Sequence, residues 1–225
     1  MLTILKSYFD ELRIRLQVVQ RTQQEIDRRF SPDFNLFDLF YLDENRLSYF
    51  IKILLDDKAK HGQQALFREL LFDMIGMNVS DNIKHIFNEL VLDKGVKVDV
   101  EVSTTSARRM DILIHNDKCA VMIENKPWAA DQKNQIKDYV DYLRGRFNTR
   151  FYVIYLSGSA PQPSDGSISQ KELQKLTQDG HFTTLMYRPH LTEWARMCAE
   201  KSESEKLRSI FLDFEAYINS SFQQQ

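Results

Sequence analysis

Between Lys97 and Leu156 the chain presents three short apolar runs in succession, then one amphipathic helical stretch, then a fourth run, FYVIYL. This order constrains the fold more than any other feature. The runs Lys97–Ser103, Met110–His115, Cys119–Lys126 and Phe151–Leu156 have the length and β-branched or aromatic content of strands. Three strands with short links predict an antiparallel meander, and a strand–helix–strand unit predicts a crossover to a parallel neighbour. The expected class is α/β, a mixed β-sheet flanked by helices.

The flanks read as helical. Leu5, Phe9, Leu12, Leu16 and Val19 recur every three or four residues, predicting a helix from Leu2 to about Arg29 that Ser31-Pro32 ends. A second helical region spans Phe34–Leu55 with a break near Asp43, and further helices are predicted over Ala65–Ile75, Asn82–Leu92 and Asp131–Phe147. After the loop SGSAPQPSDGS come a short helix (Gln170–Thr177), a strand (His181–Tyr187) and helices at Leu191–Glu200 and Glu203–Ser220. No internal repeat is visible. The reading is one domain over 1–225: a helical N-terminal extension (1–42), a core (43–156), and a C-terminal strand with helices (157–225).

Composition excludes several classes. With 43% hydrophobic and 28% charged residues and few glycines or prolines, the chain is built to fold and is not of low complexity. Charge interrupts every apolar run, so no membrane span is expected, and the amphipathic N-terminus lacks a cleavable signal pattern. Two cysteines make neither a disulfide framework nor a zinc knuckle, which points to a reducing cytoplasm. The five histidines show no ligand spacing. Neither a G-x-x-x-x-G-K-[ST] loop nor a G-x-S-x-G elbow is present. A net charge of −2 is compatible with a polyanion partner only through a local patch. Arg28-Arg29, Arg108-Arg109, and Arg144 with Arg146 and Arg150 are candidates, though scattered solvated charge is the simpler reading of each.

Chemistry concentrates where two strands end in charge. Along the third run Met122, Glu124 and Lys126 share one face, with Val121, Ile123 and Asn125 on the other. Asp111 lies on the face opposite Ile112 and Ile114, so a meander sets Asp111 beside Glu124. Two adjacent carboxylates repel unless protonated or bridged by a cation, and a hard divalent ion answers that need. Lys126 adds positive charge for a developing phosphate transition state. An acidic residue two before a lysine is not rare; Asp56-Asp57-Lys58 and Asp131-Gln132-Lys133 share it. A strand end fading into solvent is the competing reading. On the following helix Gln135 and Tyr139 are spaced i, i+4 beside the Ile136, Val140, Leu143 stripe, with Gln132 one turn earlier. Glu44 heads the stripe of Leu47, Ile51 and Leu54, although Asp43 or Glu44 would also suit a helix N-terminus. Trp128 can stack on a base or pack under its loop.

Together, Asp111, Glu124-x-Lys126 and Gln135-x-x-x-Tyr139 resemble the PD-(D/E)XK nuclease superfamily. The string "RRMDILI…VMIENKPWAADQKNQIKDYVDYL", with Glu44 upstream, is similar to a bacterial group of that superfamily, over about Asp43–Leu156. The resemblance implies a restriction-endonuclease-like core with helical N- and C-terminal extensions. It also implies metal-dependent hydrolysis of DNA phosphodiesters with Mg²⁺ or Mn²⁺. Asp111 and Glu124 would ligate the metal, Asn125 through its backbone carbonyl and Glu44 as an extra acidic ligand. Lys126 would activate or orient water, with Gln135 and Tyr139 in support and Glu101 and Arg109 as accessory positions. Met110 stands where the name-giving proline would be, a position without acid, base or ligand chemistry. The alternative is a non-catalytic module of nuclease-like fold that binds nucleic acid or protein in a defence or repair system. Its terminal helices offer a surface for a homodimer or another partner.

Overall fold

In the computed structural model the described residues are 2–31, 33–77, 79–104, 108–128 and 130–222. The chain divides into two units, 1–40 and 41–225. In the first, apolar residues three and four apart make a single helix, α1 (Leu2–Phe30). Leu5, Phe9, Leu16 and Val19 along it are exposed. Ser31, with φ +43°, follows the helix, and Pro32 lies outside the described residues. One 3-10 turn, Leu36–Leu39, begins at Asn35, whose side chain accepts the Phe37 N–H at 2.9 Å.

The second unit opens with three helices, α2 (Glu44–Leu55), α3 (Leu66–Gly76) and α4 (Asp81–Leu92). Strands β1 (Lys97–Ser103), β2 (Arg109–His115) and β3 (Ala120–Lys126) follow, then α5 (Gln135–Phe147) and β4 (Phe151–Ser157). The chain continues through α6 (Gln170–Gln178), β5 (Phe182–Met186), a wide turn at Tyr187–Leu191, α7 (Thr192–Lys201) and α8 (Glu205–Ser221). The sheet order is β1-β2-β3-β4-β5. Its first two pairings are antiparallel and its last two parallel, so the sheet is mixed, as the order of apolar runs predicts. Helices α5 and α6 are the crossovers that parallel pairing requires.

Alternation along the strands sends side chains to two cores. Leu113, Met122, Phe151 and Val153 join Ile136, Val140 and Leu143 of α5 on one face. On the other, Tyr152 meets the ring of Phe87, itself stacked on Phe72 of α3. Burying each such aliphatic or aromatic side chain contributes about 1.5–3 kcal/mol. Among the described residues no helix is long and apolar enough to cross a membrane.

Most boundaries fall within two residues of expectation, and one differs by a helical turn. Helix α5 starts at Gln135, not Asp131, because Asn134 adopts a left-handed conformation (φ 59°, ψ 17°) that no helix continues through. Asp131 is used elsewhere: its carboxylate accepts the Tyr155 hydroxyl at 3.0 Å and the Ser164 N–H at 2.6 Å.

Candidate active site

Strands β2 and β3 pair regularly as far as Ile112↔Ile123 and then stop, although β2 reaches back to Arg109 and β3 on to Lys126. Past that point the side chain of Asp111 substitutes for the ladder, its Oδ2 accepting the Asn125 N–H at 2.7 Å. This local parting of two strands brings Asp111 and Glu124 together. It also leaves the end of β3 enclosed: Glu124 and Asn125 are fully buried and Lys126 is 5% exposed. The charged end of β3 therefore does not fade into solvent.

Lys126 Nζ lies 2.7 Å from Glu124 Oε1, 2.8 Å from Glu44 Oε1 and 3.9 Å from Asp111 Oδ2. Glu44 reaches it because Asp43, not Glu44, serves the helix end: the Asp43 carboxylate accepts the Arg46 N–H at 2.8 Å. From the opposite side, Gln135 Nε2 donates to Glu124 Oε1 at 2.6 Å and lies 3.2 Å from the Tyr139 hydroxyl. Tyr139 in turn donates to the Arg109 carbonyl at 2.6 Å, tying α5 to the start of β2. Gln132 is not on the helix. Its N–H instead rests on Gln135 Oε1 at 3.0 Å, and its side chain accepts from Arg108.

Burial drives the electrostatics. It pushes the Asp111 carboxyl up to about 6 against the pull of Lys126 and the Asn125 N–H, with Glu44 adding to the rise. Burial, reinforced by the negative charge of Asp111, raises Glu124 well above the carboxylate range. For Lys126 burial acts the other way, but Glu124 and Asp111 outweigh it and hold the ammonium above its ordinary value.

Among the described residues no three His, Cys, Asp or Glu side chains form a ready-made metal cage, and Lys126 occupies the middle of the acidic group. The donors nonetheless suit a hard divalent ion. They are carboxylate oxygens, and Glu124 Oε2 is buried without any hydrogen-bond partner. Such an ion needs only one or two carboxylates and keeps its waters for substrate.

Several residues lie outside this convergence. Glu101 and Arg109 pair with each other at 2.9 Å, both well exposed. Arg108 is taken up by Asp138, and Arg150 by Glu89, so neither is an open phosphate patch. His61 shapes a turn, its ring joining the Asp56 carbonyl and the Gln63 N–H. Two residues were not foreseen. Ser48 Oγ accepts from Asn125 Nδ2 at 2.9 Å, and the Tyr187 hydroxyl donates to Asn125 Oδ1 at 2.7 Å. Ser48 lies one helical turn after Glu44, a spacing that could have signalled it; nothing in the sequence links Tyr187 to Asn125.

A cleft of about 320 Å³ adjoins Asp111, lined by Asn45, Arg46, Ser48, Tyr49, Val100 and Glu101. A larger apolar groove of about 630 Å³, between α3, α4 and α7, contains none of the site residues. No curated protein and no solved structure matches the chain. A family model described as the PD-(D/E)XK nuclease superfamily matches residues 34–215, a span holding the sheet and every residue of the acidic group. This chain belongs to the PD-(D/E)XK nuclease superfamily.

Proposed function

We propose that this protein is a metal-dependent nuclease that hydrolyses DNA phosphodiester bonds at the Asp111, Glu124 and Lys126 group. The observation that carries the reading is the convergence of those buried ionisable groups on one point, with Lys126 Nζ 2.7 Å from Glu124 and 3.9 Å from Asp111. Burying such charge is expensive, and structures that keep it commonly use it.

Asp111 and Glu124 would hold Mg²⁺ or Mn²⁺, with Glu44 and the Asn125 carbonyl as further oxygen donors. When bound, the ion supplies Lewis-acid polarisation of the phosphodiester and a more acidic water. Lys126 acts as a fixed cation and hydrogen-bond donor toward attacking water or phosphoryl oxygen. In the metal-free site Glu124 and Asp111 hold its ammonium protonated. Gln135 fixes one oxygen of Glu124 and leaves the other free, and Tyr139 fixes Gln135. The test is nicking or degradation of plasmid and linear DNA with and without divalent metal. Asp111→Ala, Glu124→Ala and Lys126→Ala should each abolish it, and activity unchanged in those variants would move the chemistry elsewhere.

A second reading has its own observation. Lys126 pairs with both Glu44 and Glu124, an internal ion-pair group that a non-catalytic module binding nucleic acid or protein would keep without metal. The setting we infer is a bacterial cytoplasm, in keeping with two buried free cysteines.

We also infer that α1 pairs with α1 of a second copy. Leu5, Phe9, Leu12, Leu16, Val19, Ile26 and Phe30 keep a 4-3 heptad spacing in which Gln23 is the one polar core position, and all seven are exposed. An antiparallel register sets Phe9 against Ile26, Leu16 against Val19, and Lys6 against Asp27 of the second copy. Phe9 then faces the smaller Ile26, Leu16 the smaller Val19, and Lys6 a residue of opposite charge.

A further inference from the structure

Two residues beyond Lys126, the chain turns through Pro127 to Trp128, a residue 52% exposed. One face of that indole is stacked on Phe222 (centroids 5.3 Å apart, planes 13° apart). Phe222 is in turn stacked on the fully buried Tyr187, at 4.2 Å and 21°. The Tyr187 hydroxyl donates to Asn125 Oδ1 at 2.7 Å, so a three-ring column runs from the interior beside the acidic group to the surface. The turn is locked as well as supported. The Gly158 N–H donates to the Lys126 carbonyl at 2.9 Å. A Cβ on Gly158 would lie 1.9 Å from the Pro127 carbonyl oxygen and 2.7 Å from the Phe222 ring, so only glycine allows this approach. An aromatic residue held this rigidly, and still half exposed, has already lost the side-chain entropy that stacking on a ligand would otherwise cost.

We propose that Trp128 is a stacking platform for an unpaired nucleobase next to the scissile phosphate, so that the enzyme's substrates present single-stranded DNA at the site. The proposal rests on the nuclease reading above. Trp128 lies two residues from Lys126, within about 7 Å of backbone, so a base on its ring belongs to a nucleotide close to the one being cut. The faces of bases in an intact duplex are covered by their neighbours, and only a single strand, a frayed end or an extruded base offers one. Base–aromatic stacking is worth about 1–3 kcal/mol and tolerates any sequence.

The chain contains two tryptophans, and the second, Trp194, is fully buried with its N–H on the Phe67 carbonyl at 2.9 Å. Intrinsic fluorescence therefore reports Trp128 against a constant background. The experiment titrates wild-type protein in EDTA at low salt with oligo-dT of about twenty nucleotides, and in parallel with a blunt duplex of equal length. Oligo-dT should quench much of the Trp128 emission and the duplex far less. By the anisotropy of dye-labelled oligo-dT, Trp128→Ala should weaken binding about tenfold, while Trp128→Phe should recover most of that affinity and guard against a folding defect. Emission indifferent to oligo-dT, equal quenching by duplex, or undiminished affinity in Trp128→Ala would each overturn the proposal. Cleavage without quenching removes this subsite and leaves the nuclease reading intact. Quenching without cleavage leaves the subsite and removes the nuclease reading.

Discussion

Asp111 and Glu124 are stabilised in their protonated forms by burial, and that preference has a sign that can be measured. The folded-state pKa of Asp111, about 6, lies above its ordinary value of 3.8. Its contribution to stability is therefore complete below pH 3.8 and is lost as pH rises through about 6. Without metal, Asp111→Asn should raise the melting temperature by a few degrees at pH 8, with little change at pH 4, as thermal scans at both pH values would reveal. Asn still accepts the Asn125 N–H, so the variant removes the charge and little else. A divalent ion should stabilise the wild type more at pH 8 than at pH 5, because protons compete for the same oxygens. Tyr187→Phe is the opposite kind of change. It deletes a donor to the buried Asn125 Oδ1, which should cost about 1–3 kcal/mol, seen as a lower midpoint in denaturant. The charged residues were legible in the sequence because Glu124 and Lys126 close an apolar run and Asp111 opens the one before it. Tyr187 was not, since it meets Asn125 across 62 residues of chain, and Ser48, 77 residues away, is marked only by its one-turn spacing from Glu44.

Elements position the site through their ends. The strand pattern was readable because alternation and apolar runs report burial directly, and β1 has the same limits in the structure as in the sequence reading. The start of α5 was not readable: Asp131–Asn134 look helical by composition, and only the left-handed backbone of Asn134 ends the helix there. Scattered charge was the simpler reading of the arginine patches, and sequence does not show the carboxylates that fold against Arg108 and Arg150. At the end of β4, Gly158→Ala should be poorly tolerated. Its Cβ would meet backbone oxygen and an aromatic ring, so we expect a loss of roughly 1–3 kcal/mol and a changed Trp128 emission spectrum. In α1, Leu12→Glu with Leu16→Glu should convert a dimer to a monomer by light scattering, with no change in the near-ultraviolet signal of Trp194. A wild-type monomer at high concentration would contradict helix pairing.

At the scale of the whole molecule, the β2–β3 meander supplies Asp111, Glu124 and Lys126, the crossover helix α5 supplies Gln135 and Tyr139, and α2 supplies Glu44. Four elements meet where two strands part, and apart from the Asn125 N–H that Asp111 accepts, the resulting group of charges is costlier to bury than apolar residues would be. The central claim is that this group binds a divalent ion and cuts DNA. The most direct measurement is cleavage of single-stranded and plasmid DNA by the purified chain in Mg²⁺, in EDTA, and in Mg²⁺ with Asp111→Asn. The account predicts cleavage in the first condition and a loss of at least about a hundredfold in the other two. Cleavage of equal rate in all three would contradict it.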